Sequence, residues 1–251
     1  MRNYIVIFFV LLATFGYSQE EGVSEDNVPF VNQVIELFKA KDKEGIAAKI
    51  YYPLKREYPI PDVKNKEEFV QRFNEIFDTA FAEEIANSSM ADWSTVGWRG
   101  TMFKEGDLWI NDEGYIYIVN RQSKAETKGR KGFVKEDKKS VNKSLKKFKQ
   151  AIAIAEVDPF LIRIDEMENE QYRLVFWNKG QSMKEKPLRI VEGGKMTIEG
   201  TMRIRTLFFE EGDKAIEIAL DYVEASEPNE ILYSEGIKGK KLKYTVGYIK
   251  Q

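Results

Sequence analysis

Two apolar runs decide the fold of the C-terminal half: Phe160-Leu-Ile-Arg-Ile-Asp165 and Tyr172-Arg-Leu-Val-Phe-Trp177. Both are rich in the β-branched and aromatic residues that favour strands. The polar residues Glu168-Asn169-Glu170 between them are typical of a turn. The sequence therefore predicts an antiparallel hairpin at this point.

The same strand pattern continues to residue 251. Ala151–Val157 fits a helix or a strand, and we favour a strand because it has no polar helical face. The other expected strands are Leu188–Val191, Lys195–Ile198, Met202–Phe209, Ala215–Val223, Glu230–Tyr233 and Lys241–Ile249. Seven or eight short strands with frequent turns predict a small all-β barrel or sandwich over residues 151–251.

The N-terminal half begins with helical periodicity. Apolar residues recur at helical spacing from Val28 to about Lys41, and a short second helix is expected over Lys43–Ile50. Asn65 is placed to cap a third helix, because Glu68 follows three residues later as in a capping box.

Strand patterns follow these helices. The expected strands are Trp98–Phe103, Leu108–Ile110 and Tyr115–Val119, linked by tight polar turns. Helices followed by a strand meander predict an α+β domain over residues 28–121, in which a curved sheet wraps the helices.

Four segments in this half resemble a known superfamily: Tyr52-Pro53-Leu54, Asn65–Phe69, Ile76-Phe77 and Gly100–Ile110. Their order and spacing are similar to those of the nuclear transport factor 2-like (cystatin-like) superfamily, in particular its exported bacterial members. The resemblance implies a cone-shaped domain. The C-terminal half resembles, more weakly, the β-rich domain of the same class.

The first residues have the layout of a signal peptide. Arg2 precedes the uncharged run Ile5–Phe15, which is shorter than the ~20 residues that cross a bilayer. Gly16 and Ser18 suit a signal peptidase, so we expect cleavage after Ser18. An uncleaved anchor or a buried strand is the alternative. Residues 19–27 are expected to be a disordered leader.

The 251-residue chain contains no cysteine and no histidine. The lack of cysteine excludes disulfides and a lipoprotein anchor, which needs a cysteine at the cut. The lack of histidine excludes Ser-His-Asp and Cys-His catalysis and the usual zinc ligands. We expect a soluble periplasmic or extracellular protein without metal or cofactor.

Residues 122–150 form a basic stretch within a chain of formal net charge −2. Lys124–Gln150 holds eleven Lys or Arg against three acids. One interpretation is a solvated linker between the two domains. The alternative is a surface that docks on phosphates of an anionic lipid or polymer.

Two groups of residues are candidates for ligand binding. Aromatic side chains expected to line the cone offer a floor for a small apolar or sugar-like ligand, or simply fill the core. They are Trp93, Trp98, Trp109, Tyr115 and Tyr117. In the β domain, a polar patch over an aromatic floor suits an anionic ligand or a partner loop; its alternative is an ordinary ion pair on a solvated sheet face. Its members are Arg163, Asp165, Arg173 and Trp177.

The leading hypothesis is an exported, non-catalytic binding protein of the bacterial envelope, with a small-molecule or protein partner and no nucleic acid. One alternative is an isomerase or dehydratase, since some members of the superfamily use a pocket Asp base with a Tyr. The first helix carries no Tyr, and Asp92 and Asp107 fall in expected loops, which counts against it. The other alternative is an inhibitor or immunity protein against an envelope-acting enzyme.

Overall fold

Helices form the first part of the fold in the computed structural model, which describes residues 22–199, 204–220, 229–240 and 243–250. The expected signal peptide therefore lies outside the described residues. The helices are α1 (Val28–Lys39), α2 (Lys43–Ala47), α3 (Lys66–Ile76) and α4 (Thr79–Ala86). Asn65 caps α3 as predicted, because its side chain accepts a hydrogen bond from the Glu68 amide at 2.9 Å. Glu68 itself accepts from the Lys64 amide at 3.0 Å.

Residues 22–27, part of the stretch expected to be disordered, contact the helical unit. Val23 packs against the helical core, and Asn27 is buried. The Ser24 amide donates to Thr95 Oγ1 at 2.9 Å. These contacts order the segment. The sequence did not indicate them, because Val23 is the only large apolar residue in residues 22–27.

A four-stranded antiparallel meander follows the helices. Its strands are β1 (Trp93–Thr95), β2 (Thr101–Phe103), β3 (Leu108–Ile110) and β4 (Ile116–Val119). The strand expected over Trp98–Phe103 is wrong in its first half, where Gly97–Arg99 form a 3₁₀ turn. Gly97 and Gly100 have φ angles of +53° and +87°, which interrupt the extended chain.

The C-terminal part is a closed eight-stranded antiparallel barrel. Each strand pairs with the next along the chain, and the last pairs with the first. The strands are β5 (Gln150–Val157), β6 (Phe160–Glu166), β7 (Tyr172–Asn178), β8 (Arg189–Glu199), β9 (Ile204–Glu211), β10 (Lys214–Leu220), β11 (Glu230–Ile237) and β12 (Tyr244–Ile249). The barrel prediction is confirmed, and closure removes exposed strand edges.

Strand β8 joins two segments that the sequence suggested were separate strands. The residues between those two segments, Glu192-Gly193-Gly194, lie within β8, where Gly193 has φ +80° and the register with β7 shifts. Gly194 faces the barrel interior, where an added Cβ would lie 2.2 Å from Phe209 Cε1. A glycine is therefore required for the close approach of this ring.

The basic stretch expected to be a linker contains a 17-residue helix, α5 (Lys124–Ser140). The two acids on α5 that are buried, Glu126 and Asp137, face opposite halves of the molecule. Glu126 pairs with Arg56 of the N-terminal unit, and Asp137 pairs with Arg163 on the barrel. The helix therefore connects the two units through ion pairs as well as through the chain.

The barrel has apolar packing on both faces of its first three strands. The interior is filled by one apolar cluster that includes Ile162, Leu174 and Phe176. The outer face of β5, β6 and β7 packs against the segment that follows α5, with Phe148 and Trp177 in the same cluster. This covered outer face explains why β6 and β7 show continuous apolar runs.

Candidate functional site

Two predicted aromatic residues, Trp98 and Tyr117, come together at a groove of about 380 Å³ at the edge of the N-terminal sheet. We call it the aromatic groove. It is lined by Tyr51, Trp98, Asn111, Asp112, Glu113 and Tyr117. The volume falls within the range of small-molecule sites.

Among the residues that the structure describes, Trp98 is the most exposed of the large apolar side chains, at 67%. It sits in the 3₁₀ turn between the two positive-φ glycines. An exposed indole is costly to leave in water, and large exposed rings are enriched where proteins bind partners and ligands. The turn that makes Trp98 prominent is thus the central feature of the groove.

The polar wall of the groove is the turn between β3 and β4. Asn111 Oδ1 accepts hydrogen bonds from the Glu113 amide at 3.1 Å and the Tyr115 amide at 2.9 Å. This Asx turn holds Asp112 and Glu113 at its tip. Neither carboxylate forms an ion pair or accepts a hydrogen bond within the part of the chain that the structure describes, so both remain open to ligand hydroxyl groups.

Tyr117 ties the two sides of the groove together. Its hydroxyl donates to the Arg99 carbonyl at 2.8 Å, next to the turn that carries Trp98. Burial raises the pKa of Tyr117 to about 12, so the phenol stays protonated. On the other side, the Tyr51 amide donates to the Ile116 carbonyl at 2.9 Å. The Tyr117 ring and the main chain at Tyr51 are therefore held in place before any ligand arrives.

The other aromatic candidates lie elsewhere. Trp93 is buried, with its ring centroid 4.9 Å from that of Phe103 and its Nε1 donating to Ser88 Oγ at 3.0 Å. Trp109 is fully buried, and its Nε1 has no acceptor among the described residues. Tyr115 is 36% exposed and lies under the Lys49 ammonium group. The five rings therefore do not form one cone lining.

Aromatic rings fill the space between the helices and the sheet. Their centroids lie 4.9 to 6.4 Å from their neighbours. They are Phe38, Phe69, Phe73, Phe77, Phe81, Trp93 and Phe103. Of the five candidate rings, Trp93 belongs to this core, whereas Trp98 and Tyr117 line the aromatic groove.

The predicted polar patch on β6 and β7 is a buried ion network. Asp165 pairs across the strands with Arg173 at 2.7 Å and along its own strand with Arg163 at 2.7 Å. Arg163 also donates to Asp137 of α5 at 2.9 and 2.6 Å. The solvated-face interpretation is wrong, because Arg163 and Asp165 are fully buried and Arg173 is 4% exposed.

Each member of the network has its partners within the protein. Burial alone would lower the pKa of Arg163, but its hydrogen bond to Asp137 and the two neighbouring carboxylates raise it above the ordinary value. Tyr58 donates to Asp137 at 3.2 Å, and Trp177 Nε1 donates to the Glu185 carbonyl at 3.2 Å. The network joins α5 to the barrel and leaves no open face for a ligand.

Comparisons with protein-family models, with curated proteins and with solved structures found no match to the chain. Within the residues that the structure describes, no helix is long and apolar enough to cross a bilayer.

Proposed function

We propose that this protein is an exported, non-catalytic binding protein of the bacterial envelope, and that its aromatic groove binds a sugar ring of a glycan. The observation that carries the proposal is the exposed Trp98 beside the open carboxylates of Asp112 and Glu113. A sugar presents an apolar C–H face to an aromatic ring and hydroxyl donors to carboxylates. A purely apolar ligand would leave both carboxylates without partners.

Export and the cone-shaped fold belong to the same proposal. The signal-peptide layout of residues 1–18 supports export. Helices followed by an antiparallel meander support a nuclear transport factor 2-like cone over residues 28–121. Helix α5 then connects this unit to the barrel, so both face the same compartment.

Binding without turnover is favoured over the isomerase alternative by the packing of the N-terminal unit. Packed phenylalanine rings fill the space between the helices and the sheet, which leaves no room there for a substrate. A general base there needs a carboxyl group with a raised pKa. Among the described carboxyl groups, each resolved pKa shift is downward. These groups are Glu68, Glu84, Asp92, Glu136, Glu156 and Glu235.

The test is a glycan array probed with protein purified from cells that express the full chain. Wild type is compared with Trp98→Ala and with Tyr248→Ala, which removes a 47%-exposed ring from the barrel. We expect Trp98→Ala to lose the wild-type signals and Tyr248→Ala to keep them. Equal signals from all three proteins would refute the groove as the binding site.

A second candidate function, as an inhibitor or partner of an envelope protein, is favoured by the outer face of β12. Tyr244, Val246 and Tyr248 point to one side of this strand and are 43–47% exposed. Exposed apolar rows of this kind mark protein-interaction surfaces. Affinity purification from an envelope extract tests it: a stoichiometric partner lost with Val246→Lys supports it, and recovery of no partner contradicts it.

A further inference from the structure

Three lysine side chains converge on a cleft of about 560 Å³ where α5 meets the barrel. We call it the lysine cleft. Lys138 lies in the last turn of α5, and Lys146 and Lys147 follow the 3₁₀ turn after it. The rest of the lining is Phe148, Met167, Glu168, Asn169, Gln171, Glu192 and Gly193. The cleft is separate from the aromatic groove and shares no residue with it.

The three ammonium groups of the lysine cleft form no ion pair with a carboxylate among the described residues. Among the residues that the structure describes, no carboxylate oxygen lies within 4.0 Å of the three ammonium groups. Neighbouring lysines do form such pairs: Lys139 lies 2.7 Å from Glu136, and Lys149 lies 2.5 Å from Glu166. Three unpaired ammonium groups around one cavity repel one another, and an anion bound between them relieves that repulsion.

The fold of α5 explains why these charges remain. The helix turns its buried acids, Glu126 and Asp137, toward Arg56 and Arg163. Both carboxylates are therefore already paired with arginines and cannot pair with the cleft lysines. Lys138 on α5, and Lys146 and Lys147 in the segment after it, are therefore left without an acidic partner from the helix.

Lys138 is held in place before any ligand binds. Its Nζ lies 5.0 Å from the centroid of the buried Phe148 ring, and Arg163 Cζ lies 4.7 Å from the same centroid. A cation over an aromatic face is attracted to the ring. This contact restricts a long flexible side chain, which reduces the entropy lost when the ammonium group engages an anion.

The opposite wall of the cleft selects the rest of the ligand. Glu168, Gln171 and Glu192 have side-chain oxygens there. Asn169 Nδ2 already donates a hydrogen bond to Gln171 Oε1 at 2.9 Å. Carboxylates accept hydrogen bonds from hydroxyl groups and repel a second anionic group. A ligand that carries one phosphate and several hydroxyls satisfies both walls, because lysine binds phosphate as a point charge.

We propose that the lysine cleft binds an organic phosphate that carries hydroxyl groups. Two sources offer this chemistry: the headgroup of an anionic phospholipid such as phosphatidylglycerol, and a soluble sugar phosphate. Binding of the first kind would attach the protein to a membrane surface.

The experiment has two arms, each with the protein purified from cells that express the full chain. In the first, the protein is sedimented with vesicles of phosphatidylethanolamine and phosphatidylglycerol, and with vesicles of phosphatidylcholine alone. In the second, glucose 1-phosphate is titrated into the protein by calorimetry. Binding in only the first arm identifies a lipid headgroup, and binding in the second identifies a soluble phosphate.

The test variant is Lys138→Gln with Lys146→Gln and Lys147→Gln. Its matched control removes three exposed lysines elsewhere on α5, by Lys128→Gln, Lys131→Gln and Lys135→Gln. We expect the test variant to weaken binding about a hundredfold, at about fivefold per lysine, and the control to change it less than threefold.

A double variant, Lys146→Gln with Lys147→Gln, keeps the Lys138 contact with Phe148 and separates loss of charge from loss of folding. We expect it to weaken binding about twenty-fold. Binding in neither arm, or equal loss in the test and control variants, overturns the proposal. Because Trp98→Ala leaves the lysine cleft intact, failure of glycan binding and failure of phosphate binding are distinguishable.

Discussion

Replacing Asp137 by Ala tests whether the buried ion network holds α5 to the barrel. The Asp137 carboxylate accepts two hydrogen bonds from Arg163, at 2.9 and 2.6 Å, and one from the Tyr58 hydroxyl at 3.2 Å. Alanine removes all three. It leaves the fully buried Arg163 guanidinium with Asp165, at 2.7 Å, as its remaining carboxylate.

The magnitude follows from burial. Removing one partner of a buried ion pair costs about 3–5 kcal/mol, because the other charge stays desolvated. Since Asp165 still neutralises Arg163, we expect the lower end, about 3 kcal/mol off the free energy of unfolding. The neighbouring Glu136→Ala breaks an exposed pair in which Glu136 and Lys139 are 68% and 61% exposed, and we expect no measurable change in the urea midpoint.

The assay is urea denaturation at pH 7, followed by tryptophan fluorescence. A double variant, Asp137→Leu with Arg163→Met, removes both charges, and we expect it to be more stable than Asp137→Ala because no buried guanidinium is left with hydrogen-bond donors that lack an acceptor. If Asp137→Ala destabilises the protein no more than Glu136→Ala does, the network does not join α5 to the barrel.

Three further predictions concern stability and export. Glu84 has a pKa lowered to about 2 by hydrogen bonds from Arg121 and a neighbouring lysine, so its contribution is present above pH 4.5 and lost as pH falls toward 2. Glu84→Gln should lower the free energy of unfolding by up to about 1 kcal/mol at pH 7, after solvent screening, and should not change it near pH 2. A variant with the same urea midpoint as wild type at pH 7 would contradict this. Gly100→Ala should lower the free energy of unfolding by more than about 2 kcal/mol, because its Cβ would lie 2.1 Å from a backbone oxygen. Gly97→Ala, which has open space around it, should lower it by about 1 kcal/mol. Similar denaturation midpoints for the two variants would exclude the steric explanation. The N-terminal sequence of the exported protein should start immediately after Ser18, and recovery of a chain that retains Met1 would rule out cleavage.

Local sequence signals predicted most of the fold. The helical period of α1 and the cap at Asn65 rest on contacts within a few residues of the chain, and the barrel strands are recognisable from their β-branched and aromatic composition. Helix α4 was missed, although Asp78 caps it by accepting from the Phe81 amide at 2.9 Å. An Asp three residues before an apolar position is a usable signal for a helix start.

The role of α5 was harder to predict. The composition of residues 124–150 is strongly basic, and the two acids that the fold buries hardly change its net charge. Their partners, Arg56 and Arg163, lie 70 and 26 residues away along the chain. Contacts at this separation depend on how the two halves pack, which no local pattern records.

The aromatic groove was predicted in part. The expected cone lining includes Trp98 and Tyr117, which the structure places at one groove. It also includes Trp93 and Trp109, which are buried in packed regions. The difference arises at Gly97 and Gly100, whose positive φ angles turn Trp98 out of the sheet. Asp112 and Glu113 read as a simple hairpin turn in the sequence, and only the fold places them opposite Trp98.

Calorimetric titration of a glycan taken from the array tests the binding proposal most directly. We expect wild type and Tyr248→Ala to bind with the same affinity and Trp98→Ala to bind about thirtyfold more weakly, as for a central tryptophan worth about 2 kcal/mol. The glycan recovered afterwards should be chemically unchanged. Unaltered affinity in Trp98→Ala, or conversion of the glycan to a new product, would contradict a non-catalytic binding groove.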